Sequence, residues 1–256
     1  MSARQHWVQW RATREVTLAQ EHGWLSLTGF AWLPDEPSTV PGLPGLWWVD
    51  DDGAHVRADK NDRLATETGP IHGTASADVP ESGSFTWVHH DARVVELLRR
   101  GGRLAVRTRD PHAAARLAFK GVPTWDHDTD WVRPARFTPA EEPATVEVGT
   151  ARHDLVQQAR VVGTVDVDIA GVRHRLSATS AGDGLALTFH DATNNDTSAP
   201  WRTVTTEAPD DDGNLVVDFN RAVNLPFAFT AYGTCPAPVP GNRIALPVTA
   251  GEKRPV

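Results

Sequence analysis

The stretch TVDVDIAGVRHRL, residues 164–176, decides the fold class of this chain. In its first half Val165, Val167 and Ile169 alternate with polar residues, and the alternation resumes after Ala170-Gly171. A period of two is typical of a half-buried strand, and a small dipeptide that tolerates positive φ joins two such strands. The stretch therefore predicts a β-hairpin, with two aspartates facing two arginines on the opposite face from the apolar residues.

Similar turn chemistry recurs along the chain. Asp52-Gly53, Asp183-Gly184 and Asp212-Gly213 are each flanked by Val- and Leu-rich runs, so each predicts a further hairpin. The acidic runs 50–52 and 210–212 are then solvated turn tips rather than metal sites. We expect a mainly β fold, α+β only by count of short helices: an antiparallel β-sandwich or a partly open barrel with an N-terminal helix.

Two segments predict helices. Residues 3–20 carry spaced tryptophans and aliphatic residues before Gly23, and residues 91–100 end at Gly101-Gly102, a good helix stop. The Glu- and Pro-rich residues 138–145 form the best internal boundary, but no long flexible linker follows, which favours one compact unit. The predicted organisation is a single compact domain, 1–256, composed of an N-terminal helix (1–22), a Trp-rich β half (23–137) and a second β half (146–256) with a cluster of polar motifs.

Composition excludes several classes of function. A net charge of -8 argues against a nucleic-acid binder, which needs a basic surface. One cysteine excludes a disulfide framework and any multi-cysteine metal centre. The composition is that of a soluble globular chain, so we expect no membrane partner. The first ten residues contain no apolar run long enough for a signal peptide, so we expect a cytoplasmic protein.

Motifs for cofactors and metals are absent. The sequence has no GxSxG, GxGxxG, phosphate loop or HExxH, so no cofactor and no metal is predicted. Residues 126–130 contain three aspartates but do not form a calcium loop, because Trp131 and Phe137 stand where Gly and Glu are needed. A looser cation site there stays an open alternative.

Polar residues at the ends of strands in the last third form the candidate site. Asp191 continues an apolar stripe, so it needs a cationic partner, for which Arg202 is the candidate. Acid or base roles are predicted for Asp191, Asp218 and Glu252. Substrate contacts are predicted for Arg202, Asn220, Arg221, Asn224, Asn242 and Lys253. Two alternatives stay open: these residues cap strand ends structurally, and Glu252 with Lys253 forms a closing ion pair.

A set of short motifs carries a family resemblance. They are residues 23–33 (GWLSLTGFAWL), 107–110 (RTRD), 119–121 (FKG), 191–193 (DAT) through Arg202, 218–222 (DFNRA) with Asn224 and Pro226, Cys235-Pro236, Asn242-Arg243 and 251–253 (GEK). The chain resembles the bacterial family known as domain of unknown function 1684, and the motifs that carry the resemblance are spread over nearly the whole chain. The resemblance implies a β-rich single-chain fold and a shared polar cluster, and it implies no reaction.

The chain also departs from that family. Val223 stands where the family carries an aromatic residue, and Leu225 and Phe227 stand where it carries Pro and Cys. A tyrosine expected near Thr197-Ser198 is missing. Without a second thiol, a two-cysteine redox or metal role is excluded.

The sequence thus predicts a polar pocket for a small polar or anionic metabolite, in a cofactor-independent hydrolase or isomerase. The alternative is a non-catalytic module that binds a small molecule or a carbohydrate, motivated by Trp47-Trp48 and the other tryptophans of the first half. Whether the protein is an enzyme, and its oligomeric state, are left open at this stage.

Overall fold

The computed structural model describes residues 2–255. Met1 and Val256 lie outside the described residues. The fold is mainly β, with 48% strand and 13% helix, in three antiparallel sheets with one N-terminal helix, which confirms the predicted fold class. The chain forms two compact units: one contains Met1–Glu15 and Lys120–Val256, the other Val16–Phe119. The prediction of a single domain stays a prediction. No helix among residues 2–255 is long and apolar enough to cross a membrane.

The N-terminal helix α1 spans Ala3–Leu18, which confirms the predicted helix within residues 1–22. The chain then turns back, and the backbone N–H of Gly23 donates to the Gln20 carbonyl at 2.9 Å. A Cβ at Gly23 would lie 2.8 Å from the Leu18 carbonyl oxygen, so only glycine allows this close return of the chain.

The unit of Val16–Phe119 is a two-sheet sandwich. Its elements are β1 (Leu27–Trp32), β2 (Ser38–Val40), β3 (Leu43–Asp50), β4 (Gly53–Ala58), β5 (Leu64–Thr66), β6 (Gly69–Pro70), β7 (Gly73–Ala77), β8 (Ser84–His90), β9 (Arg93–Arg100), β10 (Arg103–Arg109), the short helix α2 (Ala114–Leu117) and a 3₁₀ turn at Trp24–Ser26. The six-stranded sheet has the order β1-β10-β9-β8-β5-β6 and the four-stranded sheet the order β2-β3-β4-β7.

One apolar core lies between these two sheets. Trp47 of β3 and Trp87 of β8 are both buried and meet edge to face, with ring centroids 5.7 Å apart. Aromatic rings favour this arrangement, and each buries a large apolar area. Trp47 and Trp87 are therefore core residues that join the two sheets.

The larger unit is built on one curved sheet. Its elements are β11 (Val132–Gly149), β12 (Val156–Ile169), β13 (Val172–Ala181), β14 (Gly184–Phe189), β15 (Arg202–Thr205), β16 (Asn214–Asp218), β17 (Val223–Asn224) and 3₁₀ turns at Thr129–Trp131, Phe219–Arg221 and Pro226–Ala228. The strand order is β16-β11-β12-β13-β14-β15-β17.

The chain itself forces this sheet to curl. Its two edge strands are consecutive in sequence, since β16 ends at Asp218 and β17 begins at Val223. Five residue steps reach at most ~18 Å, whereas a flat seven-stranded sheet would separate its edges by ~29 Å. The edges must approach each other, so the sheet is a partly open barrel around its own apolar core.

The hairpin at residues 164–176 is confirmed. Ala170 and Gly171 form the turn with φ of 49° and 79° between β12 and β13. On the solvent face the Arg175 guanidinium donates to both carboxylate oxygens of Asp166 at 2.7 and 2.8 Å. The hairpins predicted at residues 52–53 and 183–184 are also confirmed, as β3–β4 and β13–β14.

The helix predicted at residues 91–100 is wrong, because this segment is strand β9. A short, mainly apolar run such as Val94–Leu98, in which only Glu96 is charged, suits a strand buried on both faces as well as a helix. Gly101 and Gly102, taken as a helix stop, form the two-residue turn into β10 with φ of 59° and 75°.

Two further predictions are wrong because strand pairing between distant parts of the chain decides the structure there. Asp212-Gly213 leads from a loop into β16, and β16 pairs with the distant β11 rather than with β15, the strand immediately before it, so this turn makes no hairpin. Residues 138–145, predicted as an internal boundary, lie inside β11. A register shift between Pro139 and Ala144 takes up the prolines, which lack the N–H that the ladder needs.

Candidate functional site

A buried ion pair lies at the centre of the candidate site. The Nη2 of Arg202, on β15, donates to Oδ2 of Asp191 at 2.8 Å, and both side chains have 0% exposure. This confirms the predicted partnership. Burial lowers the pKa of the Arg202 guanidinium from its ordinary value, and the neighbouring Asp191 carboxylate opposes that shift.

Asp191 also organises the turn that follows it. Its Oδ1 accepts hydrogen bonds from the backbone N–H and the hydroxyl of Thr193, at 2.8 and 2.6 Å, and from the Val248 N–H at 3.3 Å. The Thr193 and Ser198 hydroxyls lie 2.7 Å apart. The Asn194 amide donates to the Ala199 carbonyl at 2.9 Å. Both oxygens of Asp191 are therefore engaged in fixing the turn of residues 191–199.

Arg202 binds the C-terminal segment to the sheet. Its Nη1 donates to the Ala250 carbonyl at 2.6 Å, and its Nη2 donates to the Val248 carbonyl at 2.8 Å. Its guanidinium carbon lies 5.0 Å from the ring centre of Trp125, within cation–π range. Carbonyl acceptors and an aromatic face replace the water that the buried cation loses.

Glu252 is buried and pairs with Arg14 of α1 rather than with Lys253. Its Oε1 accepts from Arg14 Nε at 3.1 Å, and its Oε2 accepts from the Asn224 backbone N–H at 2.7 Å. The Lys253 ammonium lies 5.4 Å from the ring centre of Trp125, and the Lys253 carbonyl accepts from the Asn224 amide at 2.7 Å. The alternative of a closing Glu252–Lys253 ion pair is wrong.

Asp218, Asn220 and Arg221 form a neighbouring cluster of their own. Asp218 Oδ1 accepts from the Asn220 N–H at 3.0 Å, and its Oδ2 lies 3.4 Å from Arg221 Nε. The Asn220 amide bonds both the N–H and the carbonyl of Asp128, at 3.0 and 2.8 Å. Trp7 Nε1 donates to the Asn220 carbonyl at 2.9 Å. This cluster fastens the start of β11 and the N-terminal helix to the end of β16.

Asn242 lies apart from both clusters and repairs a break in the sheet. The β13–β14 ladder runs from Gly184 only to Thr179↔Ala186. Beyond that point Asn242 Oδ1 accepts from the Ser177 N–H at 2.7 Å, and its Nδ2 donates to the Ser177 and Thr188 carbonyls at 2.9 Å each. The side chain thus supplies hydrogen bonds where the two strands separate.

The structure therefore brings five of the nine predicted residues together: Asp191, Arg202, Asn224, Glu252 and Lys253. Since both oxygens of Asp191 and of Glu252 accept hydrogen bonds, these carboxylates hold chain segments in place and are closed to a substrate in this conformation. Asp218 is the most accessible of the three, with 24% of its side chain exposed.

A cleft opens beside the turn that Asp191 organises. Its volume is about 240 Å³, and its lining residues are Asn195, Ser198, Ala199, Pro200, Phe227, Ala228 and Arg254. The Arg254 N–H donates to the Thr197 carbonyl at 2.9 Å, while its side chain is exposed. This lining has no sequence signature, because an exposed arginine such as Arg254 belongs to no motif and Phe227 stands out in the sequence only as a departure from the family.

The described residues contain no ready set of metal ligands. Among residues 2–255, no group of three or more His, Cys, Asp or Glu side chains is placed to hold an ion. In the segment of residues 126–130, the Asp128 carboxylate accepts from the Asp130 N–H at 2.9 Å and caps the turn Thr129–Trp131.

Comparison with known proteins identifies the family. Residues 117–253, more than half of the chain, match the model of a family described as a protein of unknown function, DUF1684. The chain belongs to the DUF1684 family. The matched region includes all nine predicted site residues, whereas the motifs at residues 23–33 and 107–110 precede it.

A solved structure also resembles this DUF1684 protein. It is the solution NMR structure of the uncharacterized protein from gene locus rrnAC0354 of Haloarcula marismortui, with 29% identity and a TM-score of 0.45, over 54% of this chain and 78% of that one. No curated protein matches the chain.

Proposed function

We propose that this protein binds a small anionic metabolite in the cleft between residues 195–200, the turn Pro226–Ala228 and Arg254. The observation that carries the proposal is an exposed guanidinium beside an apolar wall in one concave site. A cleft of about 240 Å³ lies below the ~300–1,000 Å³ typical of pockets for drug-sized ligands, which favours a small molecule.

Arg254 is the group that would select an anion. Among residues 2–255 it has no carboxylate partner, so its guanidinium is available to a ligand. Guanidinium binds carboxylate and phosphate through two parallel hydrogen bonds, which gives both charge and shape selectivity. The exposed Asn195 lies in the same lining and offers a neutral donor and acceptor.

The apolar wall would bind the body of the ligand. Phe227 is backed by Trp201, with ring centroids 4.1 Å apart and planes tilted by 31°. Trp201 Nε1 is buried and has no acceptor among the described residues. A rigid aromatic pair presents a flat surface, and a flat apolar group of the ligand would lie against it.

The predicted site residues then act as the scaffold of the cleft. Asp191 holds the turn that forms one wall, and Arg202 fixes the segment that leads into Arg254. The closed hydrogen bonding of Asp191 and Glu252 supports binding over acid–base catalysis by these groups. The proposal therefore favours a binding module over a hydrolase or isomerase at this site.

A sugar platform of tryptophans has weaker support. All ten tryptophans are among the described residues, and each is buried or half-buried. Trp48, from the pair that motivated the idea, stacks on His55 with ring centroids 5.0 Å apart. A stacking platform for a sugar needs an aromatic face open to water.

Benzoate is a suitable probe, because it has one carboxylate and one flat ring, and benzamide is its uncharged control. Titration of the ¹⁵N-labelled protein with benzoate should shift amide signals of residues 195–199 and 227–228. The Arg254→Ala variant should bind benzoate at least about tenfold more weakly and benzamide unchanged, because a charged hydrogen bond is lost.

Arg160→Ala is the matched control, since Arg160 is an exposed arginine of the same unit outside the cleft. It should bind benzoate as the wild type does. Shifts that are absent, that fall elsewhere, or that persist unchanged in Arg254→Ala would contradict the proposal.

A further inference from the structure

A serine, a histidine and an aspartate meet on the outer face of the four-stranded sheet, in the unit of Val16–Phe119. Asp50 ends β3, His55 lies on β4 and Ser76 lies on β7. His55 is directly opposite Ser76 in the β4–β7 ladder and opposite Trp48 in the β3–β4 ladder. The register of three strands, rather than any local motif, brings the three side chains together.

The contacts form a continuous hydrogen-bonded chain. His55 Nδ1 lies 2.7 Å from Ser76 Oγ, and His55 Nε2 lies 2.6 Å from Asp50 Oδ1. An ionised carboxylate only accepts hydrogen bonds, so in neutral His55 the proton is on Nε2 and points at Asp50. Nδ1 is then the acceptor, and the Ser76 hydroxyl donates to it.

Asp50 is suited to orient the imidazole. A hydrogen bond from His55 and one from the Asp52 N–H hold the pKa of Asp50 below its ordinary value. An ionised Asp50 holds the tautomer in which Nδ1 is free to take a proton. It also stabilises the imidazolium that forms when His55 accepts one.

The three side chains differ in their exposure to solvent. Ser76 is exposed on an edge strand, the Asp50 side chain is 50% exposed, and the His55 side chain is only 10% exposed. Trp48 stacks on the imidazole, with 5.0 Å between centroids and a tilt of 16°, which limits ring rotation. The solvent-exposed hydroxyl of Ser76 is thus hydrogen-bonded to an imidazole base that is mostly buried and restricted in rotation.

We propose that Ser76 is a nucleophile for acyl transfer, with His55 as its general base and Asp50 as the group that orients His55, and that the site hydrolyses small aryl esters. The two imidazole nitrogens have exchanged roles relative to a serine protease: Nδ1 faces the serine and Nε2 faces the aspartate. Such a triad is defined by geometry and roles, and either imidazole nitrogen can exchange a proton.

The reaction proceeds in two balanced steps. Ser76 Oγ bonds to the ester carbonyl carbon as its proton moves to His55 Nδ1, and the carbonyl carbon–oxygen bond to the aryl group breaks, with that proton going to the departing phenol. The oxygen of a water molecule then bonds to the acyl carbon and gives one proton to Nδ1, and the bond between the acyl carbon and Ser76 Oγ breaks. The acid leaves, and the proton returns to Ser76 Oγ.

The leaving group would be aromatic for a structural reason. The exposed Arg57 lies two residues after His55 on β4, hence on the same face, with its guanidinium carbon 5.9 Å from the Trp48 ring centre. Trp48 and Arg57 together border the triad with an aromatic face and a cation. An aryl oxygen that develops negative charge as it departs is favoured beside such a pair.

The test uses the full chain with p-nitrophenyl acetate and a fluorophosphonate probe. Wild-type protein should release p-nitrophenol with a burst, and intact-mass and peptide mass spectrometry should place one acetyl or phosphonyl group on Ser76. Ser76→Ala and His55→Gln should lower the burst rate by at least about 100-fold, as expected for loss of a nucleophile or general base. Asp50→Asn should lower it by a similar factor through the wrong tautomer.

Ser180→Ala is the matched control, because Ser180 is an exposed strand serine of the other unit, and it should react as the wild type does. Circular dichroism of each variant confirms folding, and Ser76→Cys, which keeps a nucleophile at the position, should be acetylated at residue 76. No adduct on wild type, or an adduct that persists at the same rate in Ser76→Ala, would overturn the proposal.

Discussion

Each of the two units buries one cluster of a carboxylate with arginine, and the two clusters balance their charges differently. In the unit of Val16–Phe119, Glu96 accepts from Arg107 Nη2 at 2.9 Å and from Arg109 Nη2 at 2.7 Å. In the larger unit, Asp191 is paired with Arg202 alone. One carboxylate balances two guanidinium groups in the first cluster, whereas charge is balanced one to one in the second.

The acceptors that surround the arginines also differ. Arg202 donates to carbonyls of the C-terminal segment through both Nη atoms, so its charge is shared among several oxygens. Arg107, with 2% side-chain exposure, donates to Glu96, whereas its neighbour Arg109 also donates to the His22 and Gly23 carbonyls at 3.1 and 2.8 Å. The Nε atoms of Arg107 and of Arg202 are both buried without a partner among the described residues. We therefore expect Arg202, whose charge is shared among backbone carbonyls, to depend less on its carboxylate than Arg107 does.

The largest effect is expected from Glu96→Ala. It leaves two guanidinium groups close together and mostly buried with no anion between them, so the free energy of unfolding should fall by about 5 kcal/mol. Urea denaturation measures the loss, and hydrogen exchange should rise in β9 and β10. Glu67→Ala, an exposed residue of the same unit, is the control and should change neither measurement.

The pH dependence of Glu96→Gln sharpens this result. Burial raises the pKa of Glu96, but Arg107 and Arg109 lower it more, so the net pKa is below the ordinary 4.5. A lowered carboxyl pKa stabilises the fold fully above the ordinary value and loses that contribution as pH falls through the lowered one. The stability gap between wild type and Glu96→Gln should therefore be constant above about pH 5 and shrink in more acidic solution. A gap that widens in acid would contradict the ion-pair account.

A smaller loss is expected for Asp191→Ala. Arg202 keeps its carbonyl acceptors, so the free energy of unfolding should fall by about 3–4 kcal/mol. Increased hydrogen exchange should be confined to the turn of residues 191–199 and the segment of residues 248–252. Asp183→Ala, in an exposed hairpin loop, serves as the control. A loss equal to that of Glu96→Ala would contradict the expectation that the carbonyl acceptors keep Arg202 stable without its carboxylate.

Asn242→Ala tests a buried polar side chain without charge. Its removal leaves the Ser177 N–H and two carbonyls without their partner, and the expected loss is about 2 kcal/mol. The same denaturation experiment measures it. A neutral result would mean that β13 and β14 close the gap by pairing directly.

The smallest effect is expected for Arg175→Ala. Its pair with Asp166 has good two-point geometry, but 69% of the Arg175 side chain is exposed to water and salt. Exposed pairs of this kind stabilise folds little. The melting temperature should not change measurably, and a clear decrease would show that geometry rather than burial decides the strength of these pairs.

The sequence was informative wherever a local pattern is enough. Alternation and a two-residue turn predicted the hairpin around Ala170-Gly171, since both depend only on neighbours in the chain. The need of Asp191 for a cation was also readable, because a carboxylate in an apolar stripe has few other ways to be buried. Arg202, eleven residues later, could be named as that cation.

Local patterns failed where pairing over long distances decides. The run Val94–Leu98 is compatible with a helix or a buried strand, and only its two neighbouring strands made it β9. The alternative that paired Glu252 with Lys253 was wrong, because its partner Arg14 lies on a helix at the other end of the chain, where no local pattern indicates the contact.

The sequence by itself determined a mainly β protein of the DUF1684 family, with its motifs and one buried ion pair. Only the tertiary structure decided which surface is open: it closed the carboxylates of Asp191 and Glu252 into hydrogen bonds and left Arg254 and Ser76 exposed. The physical reason is that the availability of a polar group depends on all of its neighbours in space, and strand register brings together residues that share no local pattern.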